Sequence, residues 1–248
     1  MAEAVGIIPA RYDSKRLPGK PLVLIHDRPM IQHVYQRAAQ AATLARLVVA
    51  TDDRRIQKAV AQFGGEALIT SHEHCSGTDR VAEAARQLML EDDAIVVNIQ
   101  GDEPLLRAEM IDSLVEDLQK NTNVPMATLA YLQTAKDDFT DPGVTKVVLD
   151  AKGRALYFSR SPIPAVRDGS SAPPYYKHLG FYGYRNGFLQ EFTRLSPGVL
   201  EKLEKLEQLR ALEHGFSISV VISPFDSISV DTPEDLARVQ KNHGEITR

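Results

Sequence analysis

The sequence has a single cysteine, Cys75, among 248 residues, and a lone thiol excludes a framework of intramolecular disulfide bonds. No apolar run approaches the ~18 residues that a membrane-spanning helix needs. The N-terminus lacks the basic, apolar and cleavage regions of a signal peptide. Basic residues are not in excess, since the formal net charge is −4, whereas proteins that bind duplex nucleic acid usually carry a basic face. We therefore expect a cytoplasmic protein with neither a membrane nor a nucleic acid as its partner.

The first half of the chain alternates short apolar runs with segments whose apolar residues recur at helical spacing. The predicted strands are 4–10, 46–51, 66–70 and 94–100, and the predicted helices are 30–42, 54–63, 78–90 and 108–119. This order predicts an α/β fold with a mostly parallel central sheet and helices on both faces, because parallel neighbours need crossover connections. Ligands of such sheets bind beyond the carboxyl ends of the strands. The loops after Ala10, Thr51, Thr70 and Gln100 should therefore share one edge.

The second half is richer in predicted strands and contains two segments with open alternatives. The strands are 126–132, 144–150, 154–160, 178–185 and 217–222. Residues 161–176 contain several prolines and serines, and we expect a loop there, either plain coil or a mobile lid. Residues 200–212 carry leucine at every third position, which on one α-helix spreads the leucines over most of the circumference. The alternatives for this segment are a core helix and a dimer-interface helix.

The loop RYDSKRLPGK (11–20) follows the first predicted strand and is basic although the chain is acidic. Its cations are Arg11, Lys15, Arg16 and Lys20. It is not a Walker A loop, since Ser14 stands where the first glycine belongs and Pro21 follows the lysine. No G-x-G-x-x-G motif follows a strand either. The alternatives are a solvated surface loop and an anion site, and the position beyond a strand of a parallel sheet favours the anion site.

Two aspartates are candidate ligands of a metal ion. Asp102 lies in NIQGDEP (98–104), directly after a predicted buried strand, and either caps a turn or binds Mg²⁺ together with substrate phosphates. Asp231 precedes a helix start in which Thr232 is the N-cap and Pro233 the first helical residue. It either interacts with the helix dipole or provides a second metal ligand.

The segment HEHCSGTDR (72–80) gathers histidine and cysteine without forming a convincing zinc site. His72, His74 and Cys75 are too close in sequence to wrap a tetrahedron, and no fourth ligand is evident. We interpret Cys75 as an inert thiol, because a nucleophilic cysteine needs an orienting base. Residues 76–78 instead indicate a hydrogen-bonding turn that leads into a helix.

These motifs, taken in order along the whole chain, resemble the cytidylyltransferases that activate 3-deoxy-manno-octulosonate (Kdo). The resemblance depends on IIPARYDSKRLPGKPL, ATDD, SGTDR, NIQGDEPL, KVVLD, ALYFSR, HLGFYGYR, LEQLR and VDTPEDL. It implies a GT-A-like nucleotide-diphospho-sugar transferase fold, with one domain over 1–248. Residues 1–125 would bind CTP, and residues 126–248 would bind the sugar acid and form a homodimer. The implied reaction is CTP + Kdo → CMP-Kdo + pyrophosphate with Mg²⁺, which supplies the sugar donor for the lipopolysaccharide inner core.

The resemblance also implies roles for individual residues. The residues that correspond to the triphosphate-binding loop are Arg11, Ser14, Arg16 and Lys20. The resemblance implies that the catalytic residues are Arg11, Arg16, Lys20 and Asp102. Ser76, Gly77 and Thr78 correspond to the turn that recognises cytidine, and Asp102 and Asp231 to the metal ligands. The residues expected around the sugar acid are Gln100, Arg160, His178, Tyr182, Glu207 and Gln208.

Two positions depart from the family pattern: Lys177 stands where arginine is often expected, and Gly143 where asparagine is common. Neither belongs to the triphosphate or metal motifs, but they leave the acceptor open, because some relatives use the 8-amino form of Kdo. A sialic acid cytidylyltransferase is a second alternative. A non-catalytic nucleotide-binding protein is a third, disfavoured because binding alone does not require both aspartates.

Overall fold

A computed structural model describes residues 2–13, 17–134, 138–167 and 173–246 of the chain, with side chains as far as residue 241. The strands are β1 (Ala4–Ala10), β2 (Leu24–Ile25), β3 (Arg28–Pro29), β4 (Arg46–Thr51), β5 (Ala67–Ile69), β6 (Ile95–Asn98), β7 (Met126–Gln133), β8 (Lys146–Leu149), β9 (Ala155–Ser159), β10 (Tyr175–Arg185) and β11 (Ile218–Ser223). The helices are α1 (Met30–Ala38), α2 (Arg54–Gln62), α3 (Gly77–Gln87), α4 (Ala108–Lys120), α5 (Asn186–Phe192), α6 (Val199–Glu204), α7 (Leu209–Glu213) and α8 (Pro233–Ile246). A short 3-10 helix covers Lys20–Leu22.

The described residues form a 9-stranded sheet, with β11-β7-β10-β6-β1-β4-β5 as its main path. Strands β5, β4, β1 and β6 are parallel neighbours, and β11 is parallel to β7. Only β10 on this path runs the opposite way, because it pairs antiparallel with both β6 and β7. Strands β8 and β9 extend from β10 as an antiparallel branch. The predicted α/β fold with a mostly parallel central sheet is confirmed.

Helices cover both faces of this sheet, as the alternating side chains of β1 show. Ile8 faces a core layer that includes residues of α1, α2 and α4, such as Ile111. Ile7 faces the other layer, with residues of α3, α5 and α7, such as Leu209. Because successive side chains of a strand point to opposite faces, a continuous apolar run such as β1 is needed to bury both.

The predicted elements of the first half are all present, with ends that move by a few residues. The largest shift is in α1, which ends at Ala38 although the apolar pattern continues to Ala42; Ala41 is still buried, beyond the end of the helix. At the C-terminus, the Thr232 hydroxyl accepts a bond from the Asp235 amide, and the Asp235 carboxylate accepts one from the Thr232 amide. This reciprocal pair confirms the predicted helix start.

Two predictions for the second half are wrong. Tyr175 and Tyr176 belong to β10 and not to the loop 161–176, because they pair with β7; residues 168–172 of that loop lie outside the described residues. The leucine-rich segment is not one helix, because Lys205 adopts a left-handed conformation with φ of 55° and separates α6 from α7. This break lets Leu206 and Leu209 reach the core, whereas α6 has no buried residue.

Strands of both halves of the chain belong to the same sheet, joined where β6 pairs with β10. The division at residue 125 into a CTP-binding half and a sugar-acid half stays a prediction. Among the described residues, no helix is both long and apolar enough to cross a membrane.

Candidate active site

A cavity of about 820 Å³ lies beyond the carboxyl ends of β1 and β6. The predicted site residues that line it are Arg11, Lys20, Ser76, Gly77, Gln100, Asp102 and Asp231. Loops after two more strands meet at the same edge, because the buried Arg80 donates to Thr70 at 2.6 Å and to Asp52 at 2.8 Å. The expectation that four strand-end loops share one edge is confirmed.

The two predicted metal ligands meet at the ammonium group of Lys20. Lys20 Nζ lies 2.5 Å from Asp102 Oδ2 and 2.8 Å from Asp231 Oδ1, although Asp231 is 211 positions away in sequence. Burial lowers the pKa of Lys20, but the charges of the two aspartates and their hydrogen bonds outweigh it and raise the pKa above its usual value. The lysine therefore stays charged and offsets half of the negative charge of the two carboxylates.

Backbone geometry brings these side chains together. Gly19 has φ of 66°, a left-handed conformation that favours glycine, and its amide donates to the Tyr12 carbonyl at 3.2 Å. A Cβ on Gly101 would lie 3.0 Å from the carbonyl oxygen of Pro9, so any other residue would push the Asp102 turn slightly away from β1. The Val230 amide donates to the Asp102 carbonyl at 2.8 Å, which places Asp231 beside Asp102.

This donor set fits Mg²⁺. Two carboxylates from different segments point at one small volume, and Mg²⁺ prefers one or two carboxylates plus substrate phosphates to a cage made of protein alone. Within the described part of the chain, no group of three or more His, Cys, Asp and Glu side chains is arranged to hold a metal ion. The two aspartates therefore leave a site that phosphate oxygens would complete.

The turn at Ser76 begins α3 and faces the cavity. Ser76 Oγ accepts from the Asp79 amide at 3.0 Å, and Asp79 accepts from the Ser76 amide at 3.1 Å, a capping box that fixes the start of the helix. Thr78 is buried and turns away from the cavity; its hydroxyl donates to Glu207 at 2.5 Å. Burial raises the pKa of Glu207, although this bond and the Arg210 charge lower it.

A second polar cluster extends along β10. The Tyr182 hydroxyl donates to Gln208 at 3.1 Å, and the ring of Tyr182 lies 5.6 Å from that of His178. Gln100, which lines the cavity, donates to the Gly180 carbonyl on the same strand at 2.8 Å. The cluster therefore adjoins the cavity through Gln100.

His178 is a neutral hydrogen-bonding group. The Thr128 hydroxyl donates to the Phe181 carbonyl at 2.7 Å, so His178 Nε2, 3.0 Å from the same hydroxyl, is the donor to it. Burial lowers the pKa of His178 to about 3, and the ring packs edge-on against Phe158 at 4.9 Å. An imidazole held this way does not supply a positive charge at neutral pH.

Arg160 lies on the β9 side of this cluster and is held by main-chain oxygens. Its Nε donates to the Glu204 carbonyl at 2.8 Å and its Nη1 to the Pro142 carbonyl at 2.9 Å. The buried Lys146 ammonium donates to the Arg160 carbonyl at 2.9 Å. Arg160 directly follows β9, and Phe158 of that strand contacts His178.

Residues 5–219 match the model of a protein family described as cytidylyltransferase. The chain belongs to the cytidylyltransferase family. It is 64% identical, over 95% of its length and 94% of the relative, to a 3-deoxy-manno-octulosonate cytidylyltransferase of Syntrophobacter fumaroxidans. It is 51% identical, over 95% of its length and 96% of the relative, to an 8-amino-3,8-dideoxy-manno-octulosonate cytidylyltransferase of Shewanella sp. (strain ANA-3).

A solved structure of CMP:2-keto-3-deoxy-manno-octonic acid synthetase complexed with CTP superposes with a TM-score of 0.93. Its sequence is 42% identical, and the match covers 99% of this chain and 100% of the other. The fold predicted from the resemblance, that of a nucleotide-sugar transferase, is therefore confirmed.

The positions of the predicted site residues in this cytidylyltransferase fall into three groups. Seven line the cavity, as given above. Six more lie outside its lining: Thr78, Arg160, His178, Tyr182, Glu207 and Gln208. Glu207 is joined to Thr78, which follows the cavity residue Gly77, and Gln100 bonds to β10, which carries His178 and Tyr182. Ser14 and Arg16 lie outside the described residues, so the prediction for that part of the triphosphate loop stays a prediction.

Arg80 and Asp52 were missed by the sequence analysis, although both lie in motifs that carried the resemblance. The Arg80 side chain is 4% exposed and lines the cavity. The signal that could have found them is position: Asp52 directly follows β4, and Arg80 lies on the first turns of a helix whose N-terminus meets the cavity. A polar residue at the carboxyl end of a parallel strand is a site candidate in such folds.

Proposed function

We propose that this chain transfers CMP from CTP to Kdo and releases pyrophosphate, in the cytoplasm, to activate Kdo for lipopolysaccharide inner-core synthesis. The observation that carries the proposal is the convergence of Lys20, Asp102 and Asp231 on one cavity beside the Ser76 turn. A site for a triphosphate needs both cations and metal-binding carboxylates. The cavity provides both at the sheet edge where the fold binds ligands.

The reaction is a displacement at the α-phosphorus. The anomeric oxygen of the sugar acid forms a bond to the α-phosphorus, and the bond from that phosphorus to the bridging oxygen breaks. Pyrophosphate leaves with the electron pair, and the hydroxyl proton passes to solvent. Both reactants are anions, so the barrier is largely one of charge and positioning. Arg11 and Lys20 neutralise the phosphates and the leaving pyrophosphate.

Asp102 and Asp231 are the residues that would hold Mg²⁺. When bound, Mg²⁺ neutralises phosphate charge and lowers the pKa of the attacking hydroxyl. Lys20 occupies the point between the two carboxylates in the structure. Its ammonium keeps the carboxylates together in the free protein and is within reach of an anion that enters the cavity.

The β10 cluster supports a polyhydroxylated acid as the acceptor. Gln100, His178, Tyr182 and Gln208 present neutral donors and acceptors suited to hydroxyl groups, and Arg160 provides a guanidinium that suits a carboxylate. Kdo is favoured because the 64% identical relative carries that name, whereas the 8-amino relative is 51% identical. The 8-amino sugar remains the second candidate.

Pyrophosphate release tests the proposal, with CTP and Mg²⁺ and with Kdo, 8-amino-Kdo or a sialic acid offered in parallel. We expect release with Kdo at least ten times faster than with either alternative. Faster release with 8-amino-Kdo would keep the reaction and correct the acceptor. Demonstrated CTP binding with no release for any acceptor would overturn the proposal in favour of a non-catalytic nucleotide-binding protein.

We also propose that the protein is a homodimer that associates through α6. The proposal is supported by Val199, Leu200 and Leu203, large apolar side chains that α6 exposes while burying none of its residues. Exposed apolar groups clustered on one element are typical of an interaction surface.

A further inference from the structure

Asp231 is carried by a linker, residues 224–232, that connects β11 to α8. The linker is not part of the sheet, so its position depends on contacts with its neighbours. Near its end, the Val230 amide bonds to the Asp102 carbonyl, and the Val230 side chain is fully buried. These contacts fix the linker immediately before Asp231 but leave its first half to be held by other groups.

Lys177 on β10 holds that first half. Its Nζ donates to Asp226 Oδ1 at 2.8 Å, to Asp226 Oδ2 at 3.0 Å and to the Ser227 carbonyl at 3.3 Å. The neighbouring Ser227 hydroxyl donates to the buried Glu103, which follows Asp102 in the chain. Lys177 therefore bonds to two consecutive residues of the linker. At the second of them, Ser227, the linker also contacts the Asp102 turn.

The ion pair of Lys177 and Asp226 is partly shielded from water. The side chains of Lys177 and Asp226 are 20% and 34% exposed, against 74% and 54% for the Lys120–Glu116 pair at the end of α4. A pair shielded from water loses less of its attraction to solvent than an exposed pair. Lys177 lies in β10 between two strands, since it pairs with Tyr131 of β7 and with Lys146 of β8, so its backbone is a rigid support.

We propose that Lys177 is a positioning residue for the metal site: through Asp226 and Ser227 it places the linker so that Asp231 faces Asp102. This inference depends on the proposed function, in which Asp102 and Asp231 hold Mg²⁺. Lys177 itself touches neither aspartate in the contacts described above. Its effect is on the spacing of the two carboxylates and hence on how strongly a bound metal favours CTP.

The test measures the coupling between metal and nucleotide by calorimetry. CTP affinity is determined with saturating Mg²⁺ and again with EDTA. The dissociation constant in EDTA divided by that in Mg²⁺ gives the coupling. The variants are Lys177→Met and Asp226→Asn, with Lys177→Arg as the conservative variant and Lys120→Met as the control for an ion pair of no functional role. We expect the ratio to fall at least about fivefold in the first two and to stay within about twofold in the others.

The two variants exclude a general charge effect. Lys177→Met removes a positive charge and Asp226→Asn a negative one, so a long-range field would move CTP affinity in opposite directions, whereas lost positioning lowers the ratio in both. A ratio unchanged in both, even with a lower melting temperature, would overturn the inference and leave the ion pair purely structural. A ratio near one in the unaltered protein would show that Mg²⁺ does not strengthen CTP binding. That result would overturn the proposed metal site and, with it, this inference. If Lys177→Met does not fold, Asp226→Asn decides alone.

Discussion

Thr78 donates a hydrogen bond to Glu207 at 2.5 Å, across 129 positions of sequence. Thr78 belongs to the turn predicted to recognise cytidine, and Glu207 to the residues predicted around the sugar acid. The two predicted subsites are therefore joined by one partly buried carboxylate, and a change on the nucleotide side reaches the acceptor side through this contact.

Thr78→Val should raise the KM for Kdo more than the KM for CTP. Valine keeps the shape but removes the hydroxyl, so the partly buried Glu207 carboxylate loses a hydrogen-bond partner, at about 1 kcal/mol of stability. Steady-state kinetics with each substrate varied in turn, together with urea unfolding, measure both effects. Thr78→Ser keeps the hydroxyl and serves as the control. Equal changes in both KM values would contradict the shared role of Glu207.

Asp102→Asn and Asp231→Asn should each reduce turnover at least roughly 10²-fold, the cost of losing one electrostatic stabiliser. Asparagine keeps the size of the side chain but not the charge that a metal needs. The measurement is pyrophosphate release at saturating Mg²⁺, with Glu116→Gln on the exposed face of α4 as control. Near-normal turnover in either aspartate variant would refute the metal assignment.

Lys20→Met should make the protein's melting temperature more sensitive to Mg²⁺. Without the ammonium, Asp102 and Asp231 repel each other, so the variant is less stable in EDTA. A cation that binds only the folded state then raises its stability by mass action. In the unaltered protein Lys20 competes for the same oxygens, and the shift is smaller. Differential scanning fluorimetry over a series of Mg²⁺ concentrations measures the melting temperature of each protein. An equal shift in the two proteins would contradict the idea that Lys20 and Mg²⁺ compete for the same carboxylate oxygens.

His178→Gln should reduce the loss of stability in mild acid. The pKa of His178 is about 3 in the folded protein, because of burial, against a usual 6.5. Below pH 6.5 the unfolded chain takes up a proton that the folded one does not, so stability is complete above pH 6.5 and falls as pH decreases towards 3. By pH 5 the loss from this group is up to about 2 kcal/mol. Urea unfolding at pH 7 and pH 5 should show a smaller difference in the free energy of unfolding for the variant than for the unaltered protein. Equal differences in the two proteins would contradict a neutral His178 imidazole in the folded state.

Leu203→Glu should convert the proposed dimer to a monomer. Leu203 is 74% exposed on α6, so a charge there costs the folded monomer little but would be unfavourable in an apolar interface. Light scattering coupled to size-exclusion chromatography measures the mass. Met89→Glu, at an exposed position that follows α3, is the matched control and should leave the mass unchanged. A dimeric Leu203→Glu protein would place the interface elsewhere.

Much of the site was predictable because it depends on local sequence. Arg11, Gln100 and Asp102 follow strands whose apolar runs are unmistakable, and the carboxyl ends of parallel strands meet at one edge. The Ser76 and Thr232 helix starts depend on capping pairs within four residues. Such signals determine where a helix begins and which side chains follow a strand without information from the rest of the chain.

The tertiary structure alone decided which of these groups meet. Asp231 reaches Lys20 only because the linker after β11 folds back on the Asp102 turn, and Thr78 reaches Glu207 only because α3 and α7 cover the same face of the sheet. The break at Lys205 and the early start of β10 at Tyr175 were also hidden. In each case the energy that decides comes from burial and pairing with distant residues, and a local pattern does not contain it.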